Sequence, residues 1–303
     1  MSIKGPGLPV FDLIMSIADL VDLVSPVIEN HHKQTAYIAY CIGEELGLPE
    51  RELFRLYTAG SLHDMGAFSL ESKLKVLDFE VLNAHQHAYT GYLLLKDFAP
   101  LTDIGRIIRY HHVPWMDGEG REWNGAAVPE LSHIVHLADR IAVLIDRDAE
   151  VLQQVRGIVA RISEKSGSLL MPEAVDAFRK LAEKESFWLD VVSKSLGLVT
   201  RRLVKARIYE FEGVSIYGVA EALRRIIDFR SRFTAVHSSG VAAVAGFLAS
   251  FSFLDMNSIN LIKVAGLLHD IGKLIVPSEV LEKTGSLSRA DVLLLRKHTY
   301  YSF

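Results

Sequence analysis

The 303-residue chain has one cysteine, Cys41, so it can form no intramolecular disulfide and no Cys-rich zinc site. A lone thiol suits a reduced, cytoplasmic protein. Charge of one sign is also scarce: 33 Lys and Arg face 37 Asp and Glu, a formal net charge of -4. That balance offers no basic footprint for a nucleic-acid polymer, and it leaves open small anions held through a metal. Long hydrophobic runs are missing. The most apolar stretch, Gly240 to Leu254, falls short of the roughly 20 residues of a membrane span, and serines break it. It reads as a buried helix, and no membrane partner is expected. The N-terminus lacks a signal-peptide pattern, because Asp12, Asp19 and Asp22 interrupt its apolar residues. Strand patterns are few, with Lys205 to Phe211 the one short candidate.

What is present reads as helix. From Thr35 to Ile42 apolar residues recur at three and four, and Gly47 is the stop signal. Similar patterns cover Pro49 to Leu62, Asn83 to Lys96, Leu131 to Arg147 and Pro172 to Leu189, with Pro49 and Pro172 at first helical positions. The long irregular segment runs from Pro114 to Pro129, a length at which loops are often functional.

An internal repeat organises the chain. Residues 59–66, Ala-Gly-Ser-Leu-His-Asp-Met-Gly, return 206 residues later as Ala-Gly-Leu-Leu-His-Asp-Ile-Gly. The same shift carries His31 onto His237, and Ala36 and Ala39 onto Ala242 and Ala245. A His followed 32 residues on by a His-Asp pair therefore occurs twice. The repeat predicts an all-α protein of two units, residues 1–205 and residues 206–303, the second an incomplete copy.

Twelve histidines are present, and their distribution carries the chemistry. His31, His63-Asp64, His87, His111-His112 and Asp139 fall on separate predicted helices or at helix ends. Imidazole nitrogens and carboxylate oxygens suit Mn, Fe, Co, Ni or Zn. Neighbouring residues on a helix point about 100° apart, so a His-Asp or His-His pair can address two adjacent ions. Seven ligands are too many for one ion and comfortable for two, and a two-metal site suits phosphoryl transfer. A lone His on a helix is usually a surface or core residue, but a doubled motif with matching upstream spacing is not a lone His.

The order His, His-Asp, His, His-His, Asp resembles the HD-GYP branch of the HD-domain metal-dependent phosphohydrolases. Leu62-His63-Asp64-Met65-Gly66 looks like the signature pair, His87-Ala88-Tyr89-Thr90-Gly91 like its His-x-x-x-Gly element, and His111 to Trp115 like its His-His-Glu-Arg-Trp run. In the second copy, His269-Asp270-Ile271-Gly272-Lys273 is closer still, and His298 takes the next ligand position. The resemblance implies an HD-type helical bundle in which His31, His63, Asp64 and Asp139 hold one divalent transition-metal ion. Asp64 bridges to a second ion on His87, His111 and His112, with Fe or Mn favoured and Zn, Ni or Co accepted. His63 and Asp64 become the catalytic pair, a hydroxide between the two ions attacks phosphorus, and the substrate class is a cyclic dinucleotide such as cyclic di-GMP.

Departures from the family bear on substrate. The Lys that follows His-Asp-x-Gly, a phosphate contact, is Ala67, and Gly-Tyr-Pro is replaced by Gly120-Arg121-Glu122. A family Glu for a third metal is Val27. Arg121 is a candidate replacement for the phosphate charge, Trp115 and Trp123 for base stacking, Lys273 for phosphate in the second copy, and Arg230 and Arg232 for a phosphate near His237. That copy holds four candidate ligands, His237, His269, Asp270 and His298, and its unpaired apolar surface favours a homodimer. His32 and His85 should turn away from the site, and His133 and His136 are candidates for supporting it. Two other readings compete: a degenerate unit that binds metal or nucleotide as a sensor or scaffold, and a phosphatase of other small phosphoesters.

Overall fold

The computed structural model describes residues 30–67, 84–203, 216–230 and 236–303. The candidate strand at 205–211, Val27 and Arg232 lie outside the described residues, as does the side chain of Arg230. The architecture is all-α. α1 (His31–Glu45) and α2 (Glu50–Leu62) form an antiparallel pair, followed by α3 (Ala84–Leu95) and α4 (Thr102–Arg109). After an irregular segment come α5 (Glu130–Leu144), α6 (Val151–Glu164), α7 (Pro172–Ala182), α8 (Glu185–Val191) and α9 (Leu196–Leu203). The remainder is α10 (Ile216–Arg230), α11 (His237–Ser250), α12 (Met256–Leu268), a 3-10 turn at Ile271–Ile275, and the short α13 (Ser278–Leu281), α14 (Arg289–Arg296) and α15 (His298–Ser302). No described helix is long and apolar enough to cross a membrane.

Local chemistry accounts for the boundaries. Gly47, at φ 73°, lets the chain leave α1 in the left-handed region. Pro172 is the first helical residue of α7, whereas Pro49 caps α2 from one residue outside it, ahead of Glu50 and Glu52 in the first turn. The run expected as one helix from Pro172 to Leu189 breaks after Ala182, where Lys184 is extended. The break lets Trp188 turn inward, its Nε1 donating to the carbonyl of Ala182 at 3.0 Å.

α1 is the central helix, packed on α2, α5 and α7. Gly60 makes the α1–α2 crossing close: a Cβ there would stand 2.7 Å from the Cα of Ala36. The second copy repeats the device, with Gly266 and Ala242 at the same 2.7 Å. The repeat read from sequence is therefore also a repeat of backbone approach. The core does not stop between the copies, because Val219, Leu223, Ile226 and Ile227 of α10 join the same apolar cluster as α1 and α5. Arg225 of α10 also pairs with Asp97 at 3.0 Å.

The stretch read as a buried helix, Gly240 to Leu254, needs correction. Residues 240–250 are helical, in α11, but Val244, Phe247, Leu248 and Phe251 are exposed. Ile38, Cys41 and Ile42, the counterparts of the first three, are buried. The difference is tertiary: α1 lies under α5 and α7, and no described helix covers α11 in that way.

Candidate metal centre

The His-Asp pair sits just past the C-terminal end of α2, and His31 opens α1 beside it. His87 comes from the first turn of α3, His111 and His112 from the turn after α4, and Asp139 from the middle of α5. A glycine lets two of these elements meet. A Cβ on Gly66 would lie 2.1 Å from the carbonyl oxygen of His87 and 2.6 Å from the amide nitrogen of Gly91. The His-Asp-x-Gly and His-x-x-x-Gly elements are thus one contact, in which the first turn of α3 rests on the backbone after Asp64. In the second copy a Cβ on Gly272 would lie 2.0 Å from the carbonyl oxygen of His298 and 2.8 Å from the amide nitrogen of Ser302.

All seven predicted ligand residues are brought together, each at most 8% exposed. Asp64 is central: its Oδ1 faces His87 Nε2 at 3.0 Å and His111 Nε2 at 3.8 Å, and its Oδ2 faces His63 Nε2 at 3.3 Å and His31 Nε2 at 3.9 Å. Asp139 Oδ1 lies 3.3 Å from His31 Nε2 and 3.6 Å from His63 Nε2. His112 Nε2 stands 2.9 Å from His87 Nε2. Two ligand groups with Asp64 in common result, one with His31 and His63, one with His87, His111 and His112, and Asp139 adjoins the first.

The polar atoms at the centre have the character of a cation site. His63 and His111 donate Nδ1–H to the carbonyls of Gly60 and Ile108, at 2.8 and 2.6 Å, which directs each Nε2 inward, where the neutral ring offers a lone pair. His31 Nε2, His63 Nε2, His111 Nε2, Asp64 Oδ1 and Asp139 Oδ1 are buried without a hydrogen-bond partner. Buried polar groups are rarely left so, and lone pairs converging on carboxylate oxygens ask for a positive charge among them. The residues fit divalent metal ions.

Electrostatics agree. Burial alone would raise the carboxyls of Asp64 and Asp139, yet both are held well below the usual range, Asp64 by His63 and His87, Asp139 by Arg140 and then His31 and His63. Burial alone would lower His63, but Asp64 and Asp139 lift it well above the ordinary value. His111 and His112 are pushed well down, first by burial and then by the neighbouring imidazoles.

Other candidates fall elsewhere. Trp115 is buried, with Arg121 over one face at 4.8 Å and His133 edge-on at 5.0 Å, so both Trp115 and Arg121 anchor the segment after His112. That segment, expected to be irregular, contains a 3-10 turn and a hairpin, Glu122–Trp123 with Ala126–Ala127. Its Asn124-Gly125 turn, both residues at positive φ, was a legible hairpin signal that sequence reading missed. Trp123 stacks on His85 at 5.0 Å and packs beside Tyr110 and Val113, which flank His111-His112. His85 does turn away from the cluster. His32 belongs to none of the ligand groups but is buried, its ring 5.2 Å from that of His63, because α2 covers that side of α1. His136 packs 5.7 Å from His112. Arg140, not singled out in the sequence, is buried and bonded to Asp139 Oδ2 at 2.6 Å.

In the second copy, His237, His269 and His298 surround Asp270 at 3.6, 3.2 and 3.6 Å, with side chains 46, 37 and 24% exposed. Lys273 Nζ donates to Asp270 Oδ2 at 2.6 Å. The set is open to water where the first is closed.

A helical bundle that converges five imidazoles and two carboxylates on a buried centre defines a class of helical proteins built to bind metal. The family model described as HD domain matches residues 28–144 and 234–302, and the chain belongs to that family. It is 29% identical to the 3'3'-cGAMP-specific phosphodiesterase 1 of Vibrio cholerae over 296 residues, covering 93% of this chain and 68% of that protein. A cyclic di-GMP phosphodiesterase of Thermotoga maritima is 26% identical over 57% of this chain and 50% of its own. Among solved structures, a cyclic GMP-AMP-specific phosphodiesterase of V. cholerae shares the fold, with TM-score 0.66 and 21% identity over 96% of this chain and 77% of that one.

Proposed function

We propose that the protein is a metal-dependent phosphodiesterase that opens a cyclic dinucleotide at the buried cluster of residues 31–139. The observation that carries this is the convergence of inward-facing imidazole lone pairs and carboxylate oxygens with no hydrogen-bond partner between them. His31, His63, Asp64 and Asp139 would hold one ion, and Asp64 through its other oxygen, with His87, His111 and His112, a second. Bound there, a pair of divalent ions supplies a hydroxide nucleophile at neutral pH and offsets phosphate charge. The protein's own part is to fix ligand direction, through the carbonyls of Gly60 and Ile108, and to exclude water from the ligand side chains. Trp123 on its hairpin, with one face stacked on His85 beside the His111-His112 turn, would offer its other face to a nucleobase. The relatives that act on 3'3'-cGAMP and cyclic di-GMP support the substrate class.

The organisation we infer is a tandem of HD-GYP-like units, residues 1–205 and 206–303, the second represented by its opening portion. Matching glycine contacts at Gly60 and Gly266, and at Gly66 and Gly272, support it, as does the open ligand set around Asp270. Reversible homodimers through the exposed face of α11 belong to the same reading.

Ala67 favours a second reading, in which the first unit binds metal or nucleotide as a sensor without turnover. Metal content measured beside hydrolysis of 3'3'-cGAMP and cyclic di-GMP, for wild type and Asp64→Ala, separates the two. Two metals with turnover abolished in the variant support the enzyme. Metal without turnover in Mn- and Fe-loaded wild type supports the sensor, and absence of metal under every loading condition rejects the enzyme and the metal sensor and leaves only a nucleotide-binding unit.

A further inference from the structure

Arg140 touches the cluster without being a ligand. Its side chain is 1% exposed and donates through Nη2 and Nε to Asp139 Oδ2, at 2.6 and 3.2 Å. A guanidinium does not give up its proton in a protein, so this is a permanent positive charge inside the molecule. Asp139 is divided by it: Oδ2 belongs to Arg140, and Oδ1 faces His31 and His63. Asp64 differs, since the described partners of both its oxygens are imidazoles. The charge of Arg140 reaches His112 and His136 through space, but its hydrogen bonds to the cluster go to Asp139.

We propose that Arg140 is a positioning residue acting as a resident cation, which holds Asp139 as a one-oxygen ligand in the metal-free protein and makes the His31–His63–Asp139 position the weaker, exchangeable one of two. This rests on the metal reading of the cluster. Two effects oppose each other. Holding Asp139 in place helps a metal bind, while a fixed positive charge bonded to its carboxylate repels a divalent ion, strongly so where water is excluded. Charge dominates in this proposal, because His31 and His63 are set by α1 and α2, and His63 also by its bond to Gly60. Among the described residues, no such cation is bonded to the carboxylate of the position around Asp64, His87, His111 and His112, and that position fills first.

The test is titration of the metal-free full chain with Mn²⁺ by calorimetry, with melting temperatures of metal-free and loaded forms. Wild type should show two classes of site at least about tenfold apart, within the usual reach of groups that orient a ligand. Arg140→Gln keeps an N–H for Asp139 and loses the charge; it should tighten the weaker site by about tenfold or more, the reverse of the loosening expected if Arg140 only oriented its ligand. By linkage, the same variant should lower the melting temperature of the metal-free form more than that of the loaded form. Arg140→Lys, which keeps charge, should retain two classes and guards against misfolding of the neutral variant. Two equivalent sites in wild type, a weaker site unchanged or loosened in Arg140→Gln, or equal melting losses with and without metal would overturn the proposal while leaving the metal centre standing. No uptake of Mn²⁺ by wild type would overturn both.

Discussion

Replacing Gly66 by Ala tests whether the site is assembled by the backbone contact that the two sequence motifs share. The added methyl would sit 2.1 Å from the carbonyl oxygen of His87 and 2.6 Å from the amide nitrogen of Gly91. Both are backbone atoms of α3, so no rotamer change relieves the clash, and the helix must retreat by about 1 Å to reach ordinary contact distances. Overpacking of this kind costs about 1–3 kcal/mol, and the upper end is expected where two backbone atoms must move. The same retreat carries His87 away from Asp64, now 3.0 Å apart. A misplacement of about 1 Å can cost on the order of 100-fold in rate, so turnover should fall by that much even where the variant is folded. Urea unfolding would be read as a lower midpoint at unchanged slope, with metal content measured on the same sample. Gly157→Ala is the control: it lies exposed in α6 with open space around its Cβ, and should be neutral or stabilise by up to about 1 kcal/mol. A Gly66→Ala protein with the wild-type midpoint and full metal content would refute the reasoning.

Two further outcomes follow from burial. Ile38→Ala should cost about 2–5 kcal/mol, because Ile38 is fully buried in α1, whereas its counterpart Val244→Ala in α11 should stay within about 0.5 kcal/mol; equal effects in denaturant unfolding would mean that the two copies are covered alike. His136 is held down to about 3, first by burial and then by the charge of Arg140, while an unfolded chain takes up that proton near pH 6.5. The unfolded state therefore binds more protons between those values, and stability of the metal-free protein should be full above about pH 6.5 and decline as pH falls, by about 1.4 kcal/mol per unit for this group. His111 and His112 act in the same direction and His63 in the opposite one. Comparing urea midpoints at pH 7 and 5 for wild type and His136→Asn checks it, since equal slopes would remove His136 from the account.

The helical class, the duplicated motif and the seven residues that meet at the centre were all legible in the amino-acid order, because each rests on local pattern. Helical periodicity, a proline at the start of α7, and ligand-type residues with repeated flanks depend on neighbours along the chain. The repeated stretch around His269-Asp270 was legible in the same way, down to the glycines whose missing side chains let backbones touch. What the order did not decide was which sides of those elements are covered. α11 carries the apolar run of a buried helix and yet stands exposed, since burial depends on α5-like and α7-like helices that are remote in sequence. Trp115 and Arg121 read as substrate contacts and pair with each other, and His32 reads as turned away and packs against His63. Arg140, one residue from a ligand, gave no signal at all. Side-chain direction and partnership across distant elements arise only when the helices pack, so the sequence determined the chemistry available at the centre. Tertiary structure decided which charges and surfaces surround it.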